Sequence, residues 1–168
     1  MDADAIVFEE PDQLLARCGP VLVWASRNKL GDASLARVRE ALEQHAHEHP
    51  QGVALLSITV GAGELPKASN RRRIARGLSS LGERLQAVAC VFEGDKPWLA
   101  QAHALFDGIL GQLEAMTTGS RAPMLAFADR LDAIVWLGGV VRDSMQRPIE
   151  VDELTEAVEL ACARIRPG

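Results

Sequence analysis

The sequence predicts an α/β protein with a single sheet of about four to five strands packed with helices, and an extra C-terminal helix. Two runs, 52–60 and 86–93, are apolar almost throughout, which is typical of strands covered on both faces. Segments with apolar residues at helical spacing separate and follow these runs. This alternation of strands and helices is typical of an α/β sandwich.

The N-terminal region predicts short strands before the first helix. One strand is expected at 5–8, before the acidic pair Glu9-Glu10, and another at 21–25, after a turn at Gly19-Pro20. Segment 14–18 fits either a further strand or a helical turn, and its pattern does not separate the two.

The first predicted helix spans 32–47. Leu35, Val38 and Leu42 recur at spacings of three and four residues and define one apolar face. Gly31-Asp32 marks its start, and Pro50 lies beyond its end. Further helices are predicted at 68–85, 97–116, 129–137 and 151–165, and a short strand at 124–127. Gly138-Gly139 is expected to end or bend the helix 129–137.

The order of these elements divides the chain into an α/β domain over 1–142 and a linker with a C-terminal helix over 143–168. The short polar linker permits two positions for this last helix. It either packs on the domain or mediates self-association, which would make the protein a homo-oligomer.

Composition argues against two classes of partner. A net charge of −5 argues against nucleic acid, because binding to phosphates needs clustered positive charge. No apolar stretch approaches the roughly 18 residues that a transmembrane helix requires. The N-terminus also lacks a basic start followed by an apolar run. We therefore expect a cytoplasmic protein without an integral membrane segment.

The segment Phe92-Glu93-Gly94, the helix from Pro97 and the run 127–137 resemble STAS-like domains, a superfamily named for anti-sigma-factor antagonists and sulfate-transporter tails. The resemblance is closest to a stand-alone bacterial branch and covers about residues 5–140. It implies a non-enzymatic regulatory module without a cofactor, which acts in signalling through contacts with a protein partner.

The chain departs from this family at the loop that carries its regulatory serine. Anti-sigma-factor antagonists have a phosphorylatable serine in an Asp-Ser-Ser-Gly type motif, and the equivalent loop here, 61–70, lacks that motif. Ser69 lies near the predicted helix start, where its hydroxyl is expected to cap the helix. A phosphosite at Ser69 is the alternative, because the helix dipole and the arginines that follow both favour a phosphate there.

One basic patch is predicted to be the interaction surface. Like charges crowded at a helix N-terminus oppose the helix dipole, so the patch is unusual for a merely solvated face. Trp98 follows Pro97 at a helix start and is expected to be an exposed interface anchor. The patch consists of Lys67, Arg71, Arg72 and Arg73, together with Arg76.

Two further functions stay open. A small-molecule or lipid-binding module would have an internal cavity near Leu105, Ile109 and Leu113, a property of some relatives of the same scaffold. An enzyme is the weaker alternative, because no triad or carboxylate pair has an interpretable spacing.

No catalytic residue, metal ligand or cofactor is predicted. His45, His47 and His49 are expected to form a solvated helix end rather than a zinc site, because only His45 and His49 share a helix face. His103 is expected at the edge of the core. The cysteines, which are expected to be free buried thiols, are Cys18, Cys90 and Cys162.

Overall fold

The structure is a computed structural model that describes residues 5–27, 31–61, 65, 68–116, 122–145 and 149–165. A 3-10 helix, Gly82–Arg84, precedes the fifth strand. The strands and α-helices of the described residues are, in chain order, β1 (Ile6–Glu10), β2 (Gln13–Cys18), β3 (Val21–Ser26), α1 (Asp32–Glu48), β4 (Val53–Val60), α2 (Ala68–Ser80), β5 (Leu85–Glu93), α3 (Lys96–Met116), β6 (Met124–Phe127), α4 (Arg130–Met145) and α5 (Val151–Arg164).

The described strands form one sheet whose strand order follows the chain order. β1, β2 and β3 are antiparallel, and β3 to β6 are parallel. The predicted α/β class is confirmed, but this sheet has six strands instead of the four to five expected. The additional strand is β2, the segment with the ambiguous pattern. A turn at Gly19, with φ of 54°, folds β2 onto β3, and this pairing is not visible in the local sequence.

Helices cover both faces of the sheet. Each of α1, α2 and α3 connects neighbouring parallel strands, and right-handed crossovers that advance in one direction leave all three helices on the same face. α4 and α5 follow the last strand and pack on the opposite face, α4 over β4 to β6 and α5 over β2 and β3. We call the two sides the α1–α3 face and the α4–α5 face.

The helix α4 does not end at Gly138-Gly139, where its two glycines were expected to end or bend it. It continues to Met145, because Leu137, Val141 and Met145 are buried in the core of the α4–α5 face. A glycine inside a helix costs about 1 kcal/mol relative to alanine, and burial of these side chains outweighs that cost.

The C-terminal helix α5 packs on the sheet. Its residues Leu154, Val158 and Ala161 are buried in the same core as the strands β2 and β3. The boundary expected at residue 142 falls inside α4, so the helix before the C-terminal segment extends across it.

Candidate ligand-binding site

A cavity of about 540 Å³ lies between the sheet and the three helices of the α1–α3 face. Strands β3, β4, β5 and β6 form its floor, and α1, α2 and α3 form its walls. Its lining is mainly leucine, valine, isoleucine and aromatic side chains. Two of the three residues expected at an internal cavity, Leu105 and Ile109, line it, whereas Leu113 is buried nearby without lining it.

Short side chains on the floor explain why the space is open. Ser57 and Thr59 of β4 and Cys90 of β5 face the α1–α3 side at positions where larger apolar residues would fill the core. Trp24 is in register with Ser57, and Ser57 is in register with Cys90, so these three side chains cross the floor in a row. The cavity therefore begins beside one bulky ring and extends over small side chains.

The Cys90 thiol contributes no charge to the cavity. Burial raises the pKa of Cys90 to about 12, so the thiol is neutral at physiological pH. A neutral thiol is a poor nucleophile, because the thiolate is the reactive form. Burial likewise raises the pKa of Cys18 and of Cys162 to about 11. The three cysteines are free, as predicted.

The cavity opens to solvent between α1 and α2. The exposed members of its lining belong to these two helices, whereas its α3 residues, Leu105, Phe106 and Ile109, are all buried. α2 comes close to α1 at Gly77, where a methyl group would lie 3.5 Å from the side chain of Arg39. We call this opening the mouth.

Charged side chains are confined to the mouth. Among the described residues of the lining they are Arg39 and Glu43 of α1 and Arg73 and Arg76 of α2. Arg73 forms an ion pair of 2.7 Å with Asp32 at the start of α1, and Arg39 lies 3.6 Å from Glu43. The ion pair between Arg73 and Asp32 links the two helices that border the mouth.

The structure separates the predicted patch Arg71–Arg73. Successive residues of a helix point about 100° apart, so the three arginines take different directions. Arg72 is exposed, Arg73 reaches the mouth, and Arg71 lies along α3, where its Nη1 would be 3.7 Å from a methyl group on Gly108. Lys67 lies outside the described residues. α2 begins at Ala68, so Ser69 lies exposed in its first turn and does not precede it.

Trp98 is not an exposed anchor, so that prediction is wrong. Only 8% of the side chain is accessible, and its ring packs edge-on against Phe92 with centroids 6.1 Å apart. Asp95 caps α3, since the Trp98 N–H donates to its Oδ1 over 2.9 Å. The ring covers Gly94, where a Cβ would lie 2.6 Å from Trp98. The cap turns the tryptophan inwards at the helix start.

The histidine-rich end of α1 is not solvated throughout, contrary to expectation. His45 is 1% accessible, and burial, with the neighbouring charges of His49 and Arg17, lowers its pKa to about 4. His47 is exposed. His103 is exposed at the edge of the core, where its ring meets Phe92 with centroids 6.0 Å apart. In the described part of the chain, no three His, Cys, Asp or Glu side chains are grouped to hold a metal ion.

A second cavity of about 430 Å³ lies at the α4–α5 face, where β5 ends and α4 begins. Both guanidinium nitrogens Nε and Nη2 of Arg130 donate to the carboxylate of Glu93, the second over 2.7 Å. This hydrogen bonding raises the pKa of Arg130. Sequence reasoning missed the pair, because the two residues are 37 positions apart and neither belongs to a recognisable motif.

Comparison with known proteins gives no family assignment. No protein-family model matches the chain, and no curated protein or solved structure matches it either. None of the helices in the described residues is both long enough and apolar enough to cross a membrane.

Proposed function

We propose that this protein is a binding module that encloses an apolar small molecule between its sheet and the helices α1, α2 and α3. The observation that carries the proposal is the cavity of about 540 Å³ with its apolar floor and walls. Small-molecule sites usually have volumes of about 300–1,000 Å³ and are lined mainly by apolar side chains.

The size of the cavity favours a ligand site over a packing defect. Protein interiors are close-packed, and voids larger than a water molecule are few. Apolar side chains that line an open cavity contact water, and a ligand that covers them removes this contact. A ligand that entered through the mouth would restore contacts to Leu105, Ile109 and the sheet.

Cavity filling tests the proposal. Ser57→Leu places a larger apolar side chain on the floor. We expect wild-type protein to bind the neutral dye Nile red with a rise in dye fluorescence, and Ser57→Leu to weaken that binding at least ten-fold. Ser144→Leu makes the same chemical change on exposed α4 and is the matched control. Equal dye binding by Ser57→Leu and wild type would contradict the proposal, as would a wild type that binds no dye.

We further propose that ligand binding serves a regulatory role of the STAS-like kind, in the cytoplasm and through a protein partner. The sequence resemblance supports this role, and so does the position of Arg72, which is exposed on the helix that walls the cavity. A partner that contacts α2 would therefore sense the ligand.

Native mass spectrometry of protein isolated from its own cells tests the regulatory role. We expect Arg72→Ala to reduce the fraction that carries a co-purifying protein. Arg142→Ala on exposed α4 should leave this fraction unchanged. Equal retention by both variants would remove α2 as the contact surface.

A further inference from the structure

The charges at the mouth are unbalanced. Three arginines and one glutamate line the cavity among the described residues. Arg73 is bonded to Asp32, and Arg39 is near Glu43. Arg76 is exposed at the mouth and has no ion-pair partner among the residues that the structure describes. One guanidinium is therefore available to an anion from outside the chain.

The interior of the cavity has the opposite character. Its polar groups on the floor are the hydroxyls of Ser57 and Thr59, the neutral thiol of Cys90 and the indole N–H of Trp24, and no charged side chain of the described lining lies there. Burying an ion without a partner is costly, so an anionic group is disfavoured on the floor and favoured at the mouth. The cavity therefore has an apolar end and a cationic end.

Resting on the proposed ligand cavity, we propose that its ligand is an amphipathic acid, with its apolar body on the floor and its anionic head at Arg76 and Arg39. A guanidinium presents a planar fork of N–H donors that matches a carboxylate or phosphate. The Arg39 side chain passes over Gly77 of α2, and Arg76 is the residue before Gly77 in that helix. The acid head would thus bridge α1 and α2.

Displacement of Nile red by two ligands of equal chain length tests the inference. Dodecanoate carries the anionic head and dodecanol lacks it, and both are used below the concentrations at which they aggregate. We expect dodecanoate to bind wild-type protein at least ten-fold more tightly than dodecanol. Charge-assisted hydrogen bonds are among the strong ones, which supports a preference of this size.

Paired variants assign the preference to the mouth. We expect Arg76→Gln to lower the affinity for dodecanoate about three-fold, the range of an ion pair in contact with solvent, and to leave the affinity for dodecanol unchanged. Arg72→Gln removes the same charge from the same helix at an exposed position outside the lining, so it should change neither affinity. Arg39→Gln should act in the same direction as Arg76→Gln.

The outcomes separate this inference from the function on which it rests. If dye binds but dodecanoate and dodecanol displace it equally, the ligand is not an acid and the cavity keeps its proposed function. If Arg72→Gln and Arg76→Gln lose the same affinity for dodecanoate, the attraction is a general effect of charge, and the proposed position of the anionic head at Arg76 is overturned. If no dye binds to wild type, the proposed function and the inference both fall.

Discussion

The two faces of one sheet are filled in different ways. On the α4–α5 face the strands present alanines among larger residues such as Leu56 and Ile58, and α4 and α5 lie over them with fully buried Leu137 and Leu154. On the α1–α3 face the strands present bulky residues such as Trp24 beside short ones such as Ser57, so the helices leave a cavity. The small residues of the α4–α5 face are Ala16, Ala25, Ala54, Ala87 and Ala89.

This difference shows that the size pattern within a strand decides how closely a helix approaches. Alanines between the larger residues let α4 and α5 pack onto the sheet. A bulky ring next to short polar side chains holds a helix off at one point and leaves space at the next. The α1–α3 face then has room for an apolar ligand, whereas the second cavity at the α4–α5 face lies where β5 ends and α4 begins.

Truncation of a leucine on each face gives the largest expected difference. Leu137→Ala should lower the free energy of unfolding by about 2–5 kcal/mol, because its close-packed surroundings cannot collapse into the gap. Leu105→Ala should cost less than half as much, because Leu105 already borders open space. Urea unfolding of both variants measures the two values. Equal losses would contradict the comparison.

Acid should destabilise the α1–α3 face through His45. The ring is buried on α1 with its pKa lowered to about 4 from 6.5. The unfolded chain therefore binds a proton at a higher pH than the folded chain, and stability falls as the pH drops from about 6.5 to 4. At about 1.4 kcal/mol for each pKa unit, the loss is roughly 3 kcal/mol.

The control for this pH dependence is His45→Leu. The ring of His45 interacts with the Gly19 backbone, and Glu48 lies 3.9 Å from its Nδ1. Leucine should remove the titration and keep the position apolar. Urea unfolding at pH 7, 5 and 4 should show a shallower loss in the variant, and matching curves would show that His45 does not titrate as stated.

Insertion of a larger side chain at neighbouring positions of β5 gives a smaller contrast. Ala89 faces the α4–α5 side and Cys90 the cavity. Ala89→Leu should cost about 1–3 kcal/mol through overpacking, whereas Cys90→Leu should change stability by less than about 1 kcal/mol. Thermal or urea unfolding measures both. A costlier Cys90→Leu would mean that the cavity does not accept added volume.

The ion pair between Glu93 and Arg130 should have the smallest effect. Its side chains are 28% and 32% accessible, and pairs in contact with solvent contribute about 0–1 kcal/mol. We expect Glu93→Gln to lower stability by less than about 1 kcal/mol at low salt, and by less at high salt. A double-mutant cycle with Arg130→Gln isolates the pair. A coupling energy much above about 1 kcal/mol would mean that the pair contributes more to stability than its exposure to solvent suggests.

Local patterns predicted most elements but not where their side chains would lie. The helix 32–47 and the strands 52–60 and 124–127 were predicted within one residue of α1, β4 and β6. The helix expected over 68–85 is shorter, because α2 ends at Ser80 and β5 begins at Leu85. Periodicity could not locate this boundary, since buried Leu78, Leu81 and Leu85 continue a helical spacing across it.

The candidate site was only partly predictable. Leu105 and Ile109 were placed at a cavity, and Arg73 in a functional patch, and all three line the cavity. Arg76 was also placed in that patch, whereas the roles of Ser57 and Arg39 were missed, because each acts only in combination with residues of other elements. No local signal marks such a combination.

The sequence by itself determined the α/β class, because hydrophobic periodicity and turn residues are signals carried by residues that are close together in the chain. Only the tertiary structure decided that residues 13–18 form β2, that α4 runs through Gly138-Gly139 and that Trp98 is buried. It also decided that the α1–α3 face encloses a cavity. These features depend on which distant segments contact each other. They also depend on whether the free energy gained by burying apolar side chains there exceeds the local conformational preference of the chain.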